Sequence, residues 1–184
     1  MSTVRTFKDH LGLAEGGWGL RRAQTAAAKT LENPGLIKPL LKALLSGDGA
    51  LRQRASDTAR RITEKQPSLL QPHAEAVIGV FSQSDNDNWR TRAHLGLVAA
   101  RIAHTRAQRL RVAGLLMPLY YDPSNVVRCT AIEGLGLLAR REPSLRLQFE
   151  PLAEEALATG TLAMQNRARH ALTRLSSPAV RARR

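Results

Sequence analysis

The sequence predicts an all-α fold, an α-α superhelix (right-handed solenoid) of about four antiparallel helix pairs. Three observations predict it. One phrase recurs at a nearly fixed period, each copy spaces its apolar residues as a helix does, and Ala, Leu and Arg dominate a composition with only 4% aromatics.

The phrase reads LRQRASDTARRI from Leu51, WRTRAHLGLVAA from Trp89, VRCTAIEGLGLL from Val127 and MQNRARHALTRL from Met164, at offsets of 38, 38 and 37 residues. Such a period marks a stacked array, because a unit of this size cannot bury an apolar face alone. Ala55, Ala93, Ala131 and Ala168 are followed four residues later by Ala59, Leu97, Leu135 and Leu172, and seven later by Ile62, Ala100, Leu138 and Leu175. That spacing is one face of a helix, and Leu51, Trp89, Val127 and Met164 extend it backwards by one turn. Small residues at its centre let neighbouring helices approach closely.

Each phrase follows a second amphipathic segment: GLIKPLLKALL from Gly35, QPHAEAVIGVF from Gln71, AQRLRVAGLLMPLYY from Ala107 and LQFEPLAEEAL from Leu147. The links within pairs are SGDG, SQSDNDN, DPSN and ATGT. Their Gly, Asp, Asn and Ser stop one helix and cap the next.

The unit beginning at Tyr120, YDPSNVVRCTAIEGLGLLAR, has aspartate and proline in the turn, then Val-Arg, then a spaced alanine. In this it resembles the HEAT-repeat family. The resemblance covers about residues 34 to 176, and GWGLRRAQTAAAKTL near Trp18 looks like a degenerate N-terminal half-unit. The expected organisation is an N-terminal helix and half-unit over 1–33, units at 34–66, 67–104, 105–142 and 143–176, and a basic tail over 177–184. The last unit departs from the pattern, with GTLAMQN where the turn aspartate and the arginine would stand, which suits a terminal position.

The formal charge of +13 creates a field that attracts polyanions. The N-terminus, MSTVRTFKDHLG, lacks an apolar signal core, and no segment approaches the roughly 20 apolar residues that span a bilayer. A cytoplasmic protein without membrane partners is expected. Cys129, alone in the chain, is read as a small buried thiol.

Two arginine series recur with the repeat. Arg52, Arg90 and Arg128 share one position, with Gln165 in the last unit; Arg54, Arg92 and Arg167 share another, with Thr130 in the third. The resemblance implies that the first series pairs with turn aspartates of adjacent units, for which Asp48, Asp87 and Asp122 are placed. The second series is the candidate for binding, with Arg61 and Arg174 on the same flank, because the turn aspartates are too few to neutralise both. Arginines beside helix starts suit phosphate; a solvated basic face is the alternative.

Trp89 lies on the apolar stripe and is expected in the core. Trp18, flanked by glycines, is read as an exposed contact or an end cap. Arg101, Arg106, Arg109 and Arg111 read as a solvated basic patch. The chain lacks a helical zinc motif, a Walker loop and a G-x-S-x-G elbow, so no catalytic residue, metal or cofactor is assigned.

The function these features favour is a non-catalytic scaffold that engages an acidic protein or peptide on a concave face lined by the second helix of each pair. Sequence-independent nucleic-acid binding through the arginine ladders comes second. A third reading is an enzyme resembling the alkylpurine DNA glycosylases, with Asp87 beside Trp89; the burial expected of Trp89, the position of Asp87 in a turn and the scarcity of aromatics count against it.

Overall fold

A computed structural model describes residues 20–46 and 48–176, which form nine α-helices and no strand. Helix α1 is Leu20–Glu32. Four pairs follow: α2 (Ile37–Leu44) with α3 (Gly49–Lys65), α4 (Ala74–Ser82) with α5 (Trp89–Ile102), α6 (Arg106–Leu116) with α7 (Asn125–Arg141), and α8 (Arg146–Thr159) with α9 (Leu162–Ser176). Trp18 and the tail over 177–184 lie outside the described residues.

Local chemistry accounts for the helix boundaries. Asp48 caps α3 by accepting from the Ala50 and Leu51 amides at 3.0 and 3.1 Å, and Asn88 caps α5 through the Arg90 and Thr91 amides. Thr105 and Gln108 close a capping box at the start of α6. Between units, Pro34, Pro67 and Pro143 each open a single turn of 3-10 helix, which the fixed proline φ favours and which reverses the chain.

The second helices, preceded by α1, pack side by side in an unbroken row α1-α3-α5-α7-α9, whereas the first helices cover that row and scarcely touch one another. The predicted stripe is what the row buries. Ala55, Ala131 and Ala168 are fully inaccessible and Ala93 nearly so, with Ile62, Ala100 and Leu138 sealed beneath them. Large side chains from the covering helices, among them Leu40, Ile78, Leu116 and Phe149, complete one continuous core. Each such side chain contributes about 2 kcal/mol through burial. The all-α superhelical expectation therefore holds.

Glycine sets the spacing of α7. A Cβ on Gly136 would stand 2.6 Å from the Ala171 Cβ of α9 and 3.2 Å from the Phe149 ring of α8. A Cβ on Gly134 would stand 2.8 Å from Leu116 of α6.

One core assignment fails. Trp89 is 36% exposed, and the Arg90 guanidinium lies 4.2 Å from its ring centroid. It is the first residue of α5, one step past the Asn88 cap, so the stripe that continues to Leu51 in α3 runs off the end of the shorter helix.

Candidate functional site

The arginine ladder exists, but not in the register of the stripe. Arg52, Arg92, Arg128 and Gln165 each donate their amide to the carbonyl of the residue four before, at Asp48, Asn88, Ser124 and Thr161. They thus hold the same place relative to the helix cap. From there the Arg52 side chain reaches back to the Ser46 carbonyl at 2.7 Å and across to both Asp87 oxygens at 2.9 and 3.0 Å. Arg92 repeats the pattern with the Asp87 carbonyl at 2.6 Å and Asp122 at 2.8 Å. Gln165 keeps only the backward contact, to the Gly160 carbonyl at 3.0 Å.

Three expectations change accordingly. Arg92, assigned to binding, is a structural strut. Arg90, assigned to the ladder, stacks on Trp89 instead. Asp48 is an N-cap, with no ladder arginine among the described residues. The physical reason is that α5 starts two residues later than α3 relative to its apolar stripe, so counting by the stripe misplaces the cap. Arg128 holds the ladder position, but the next turn, Gly160–Thr161, offers no acid, and its buried Nε has no partner.

A second line of charge crosses the same row, and the sequence reading missed its acidic members. Asp57 in α3 accepts from Arg60 at 3.0 Å and Arg61 at 3.2 Å, and lies 3.9 Å from the His94 ring of α5. The Ser56 hydroxyl is 3.1 Å from His94 Nδ1. Burial, aided by the guanidiniums of Arg60, Arg61 and Arg90, outweighs the Asp57 carboxylate and pushes His94 down to about 4. Arg101 of α5 donates to the Arg60 carbonyl at 3.0 Å and to Glu133 of α7 at 3.4 Å; desolvation lowers its pKa. Arg167 of α9 takes the other Glu133 oxygen. Arg141 adds a device of its own, donating to the Ala100 and Arg101 carbonyls at the C-terminal end of α5.

At the far end this line opens into a groove between α7 and α9. Glu133, Leu137 and Arg140 form one wall, Arg167, His170 and Arg174 the other, with Gly136 and Ala171 at the crossing. Three guanidiniums and one carboxylate thus line the groove, and the two oxygens of that carboxylate already accept from Arg101 and Arg167. Among the described residues Arg140 and Arg174 have no acidic partner.

The remaining candidates distribute as follows. Arg61 is tied to Asp57. Arg54 is half-buried in α3 and takes part in interactions of its own. Arg167 and Arg174 meet in the groove. Of the expected solvated patch, Arg106 and Arg111 are exposed to solvent while Arg101 and Arg109 are largely buried, and all four reach carboxylates. Arg101 reaches Glu133, Arg106 and Arg109 share Glu142, and Arg111 reaches Glu75 at 3.3 Å. The Ser144 hydroxyl, then Arg109 and Arg106, hold the Glu142 carboxyl below its ordinary range. Recurrence could have flagged Asp57 and Glu133, each two residues past its stripe alanine; Arg101 and Arg141, eight and ten residues past theirs, carry no such signal.

Cys129 is buried, and desolvation pushes its thiol up, as befits a packing residue. No three metal-ligating side chains converge among the described residues, and no helix among them is long and apolar enough to cross a membrane.

No family model matches the chain, and no curated protein matches it. Among solved structures, a designed armadillo repeat protein is similar at 15% identity and a TM-score of 0.44, over 92% of this chain and 98% of that one.

Proposed function

We propose that the chain is a non-catalytic scaffold of HEAT-like units that binds an acidic protein or peptide along its second-helix row. The observation that carries this reading is the groove between α7 and α9, where Arg140 and Arg174 stand without acidic partners beside a carboxylate already engaged twice. The +13 formal charge steers an acidic partner towards it. Close packing of the second helices, against the wider spacing of the first, supports placing this row on the inside of the curve, because the inner layer of a bent stack is the shorter one.

A peptide suits this surface better than a nucleic acid. The ladder that would track phosphates is tied up at Arg52 and Arg92, and Asp57 and Glu133 in the same row would repel a continuous polyphosphate. The glycosylase-like alternative loses its acid as well, since both Asp87 oxygens accept from Arg52.

Fluorescence anisotropy with a labelled Glu-rich peptide and a labelled DNA duplex, at about 150 mM salt, tests the proposal. The peptide is expected to bind, and the double variant Arg140→Glu/Arg174→Glu to weaken it by roughly tenfold or more, about 1.4 kcal/mol or more for the pair. Absence of peptide binding overturns the reading. Tighter binding of the duplex, with the steep salt dependence of counterion release, replaces it with the nucleic-acid reading.

A further inference from the structure

We propose that the α7–α9 groove is a receptor for a phosphomonoester dianion on a peptide, a phosphorylated serine or threonine within an acidic segment; this rests on the scaffold reading above. The supply of positive charge exceeds what one carboxylate uses. Arg167, His170 and Arg174 follow one another at i, i+3 and i+7 on α9, and Arg140 faces them from α7, seven residues beyond Glu133. Cationic groups therefore stand on both walls.

A carboxylate brings one charge and two oxygens, which a single bidentate guanidinium satisfies. A phosphomonoester brings close to two charges and three acceptor oxygens, and so can engage Arg140 and Arg174 from opposite sides at once. The acid in the groove does not cancel this. Each oxygen of Glu133 is already held, one by Arg101 and one by Arg167, so its charge is countered from within the array and Arg167 is held in place. A group fixed in this way loses little freedom when a ligand arrives.

Size points the same way. The space open to a ligand in the groove is about 50 Å³, far below the roughly 300–1,000 Å³ typical of small-molecule pockets. It takes a single headgroup and leaves the peptide chain outside. A nucleic acid would need a track of such sites, and at the other junctions of the row Arg61, Arg52 and Arg92 are matched to Asp57, Asp87 and Asp122.

The test uses the full chain and three versions of one acidic peptide, with phosphoserine, serine or glutamate at the central position, followed by anisotropy. The phosphoserine peptide is expected to bind about tenfold tighter than the glutamate peptide. Arg140→Gln and Arg174→Gln should each remove most of that advantage, while Arg61→Gln, in the matched part of the row, should leave it in place. Among the described residues neither groove arginine has an acidic partner, so both variants should melt at the wild-type temperature. Arg140→Lys, which keeps charge and loses the planar fork, serves as a second variant and should lower the preference while leaving the fold intact.

Equal binding of the phosphoserine and glutamate peptides overturns the inference and leaves the scaffold reading standing. Binding of none of the three overturns both. Displacement of the phosphoserine peptide by an equal concentration of DNA duplex overturns the assignment to a peptide.

Discussion

Asp57 in α3, Glu133 in α7 and His170 in α9 occupy the same place in the repeat, yet their surroundings differ from one end of the array to the other. Between α3 and α5, Asp57 gathers Arg60 and Arg61 and lies against a neutral His94, while Arg52 closes on Asp87. Between α7 and α9, Glu133 is shared by two arginines, Arg140 and Arg174 find no acid, and Arg128 meets a turn that lacks one. An interior junction must satisfy polar groups from two neighbours and so matches acid to base. On the last described helix, Asn166, Arg169, His170, Thr173 and Arg174 are exposed. Charge is thus matched acid to base between α3 and α5, and is in excess, among the described residues, between α7 and α9.

The contrast is broken most severely at an interior ladder rung. Asp122 is 7% exposed and pairs with Arg92; Asp122→Ala should cost about 3 kcal/mol, because a largely buried guanidinium is left uncompensated. At the unmatched junction Arg128→Met should change stability by less than about 0.5 kcal/mol or raise it, since no ion pair is lost there. Urea denaturation of the two variants measures both, and equal losses would remove the distinction between the junctions.

Acid should act on the first junction next. With its folded pKa near 4, below the unfolded 6.5, His94 binds its proton more readily in the unfolded chain. Its contribution is therefore full above pH 6.5 and is lost as pH falls towards 4, by roughly 2 kcal/mol once its partial exposure is discounted. His94→Gln should flatten the stability profile across that window; an unchanged slope would show that His94 is not the group responsible.

Helix spacing gives the third comparison. Helix propensity alone favours alanine over glycine by about 1 kcal/mol, yet Gly136→Ala should destabilise by about 1–2 kcal/mol, because the new methyl meets Ala171 where α7 crosses α9. The smallest effect is expected away from any junction. Gly114 in α6 has open space where a Cβ would sit, so Gly114→Ala should stabilise by about 0.5–1 kcal/mol. Thermal melts that moved both variants in the same direction would contradict this account of the α7–α9 contact.

The candidate site was only partly legible. Arg167 and Arg174 stand out through recurrence and do line the groove, but Arg140 and His170 do not recur as a type, and with Glu133 they become a group only when two helices are brought together. Trp89 was misplaced for a related reason. Periodicity reports which face of a helix a residue lies on, and Trp89 is on the right face but at the very end, where no neighbour covers it.

By itself the sequence determined the all-α architecture, the period of the units and the alanine stripe that the row buries, because helical spacing and apolar burial act within a window of a few turns. Tertiary structure alone decided which arginines are struts and which remain available. Ion pairs such as Arg52 with Asp87 and Arg92 with Asp122 join residues 35 and 30 apart in the chain, and whether they meet depends on where each helix is capped. A shift of two residues at the start of α5 exchanges the roles of Arg90 and Arg92 while leaving the apolar pattern untouched.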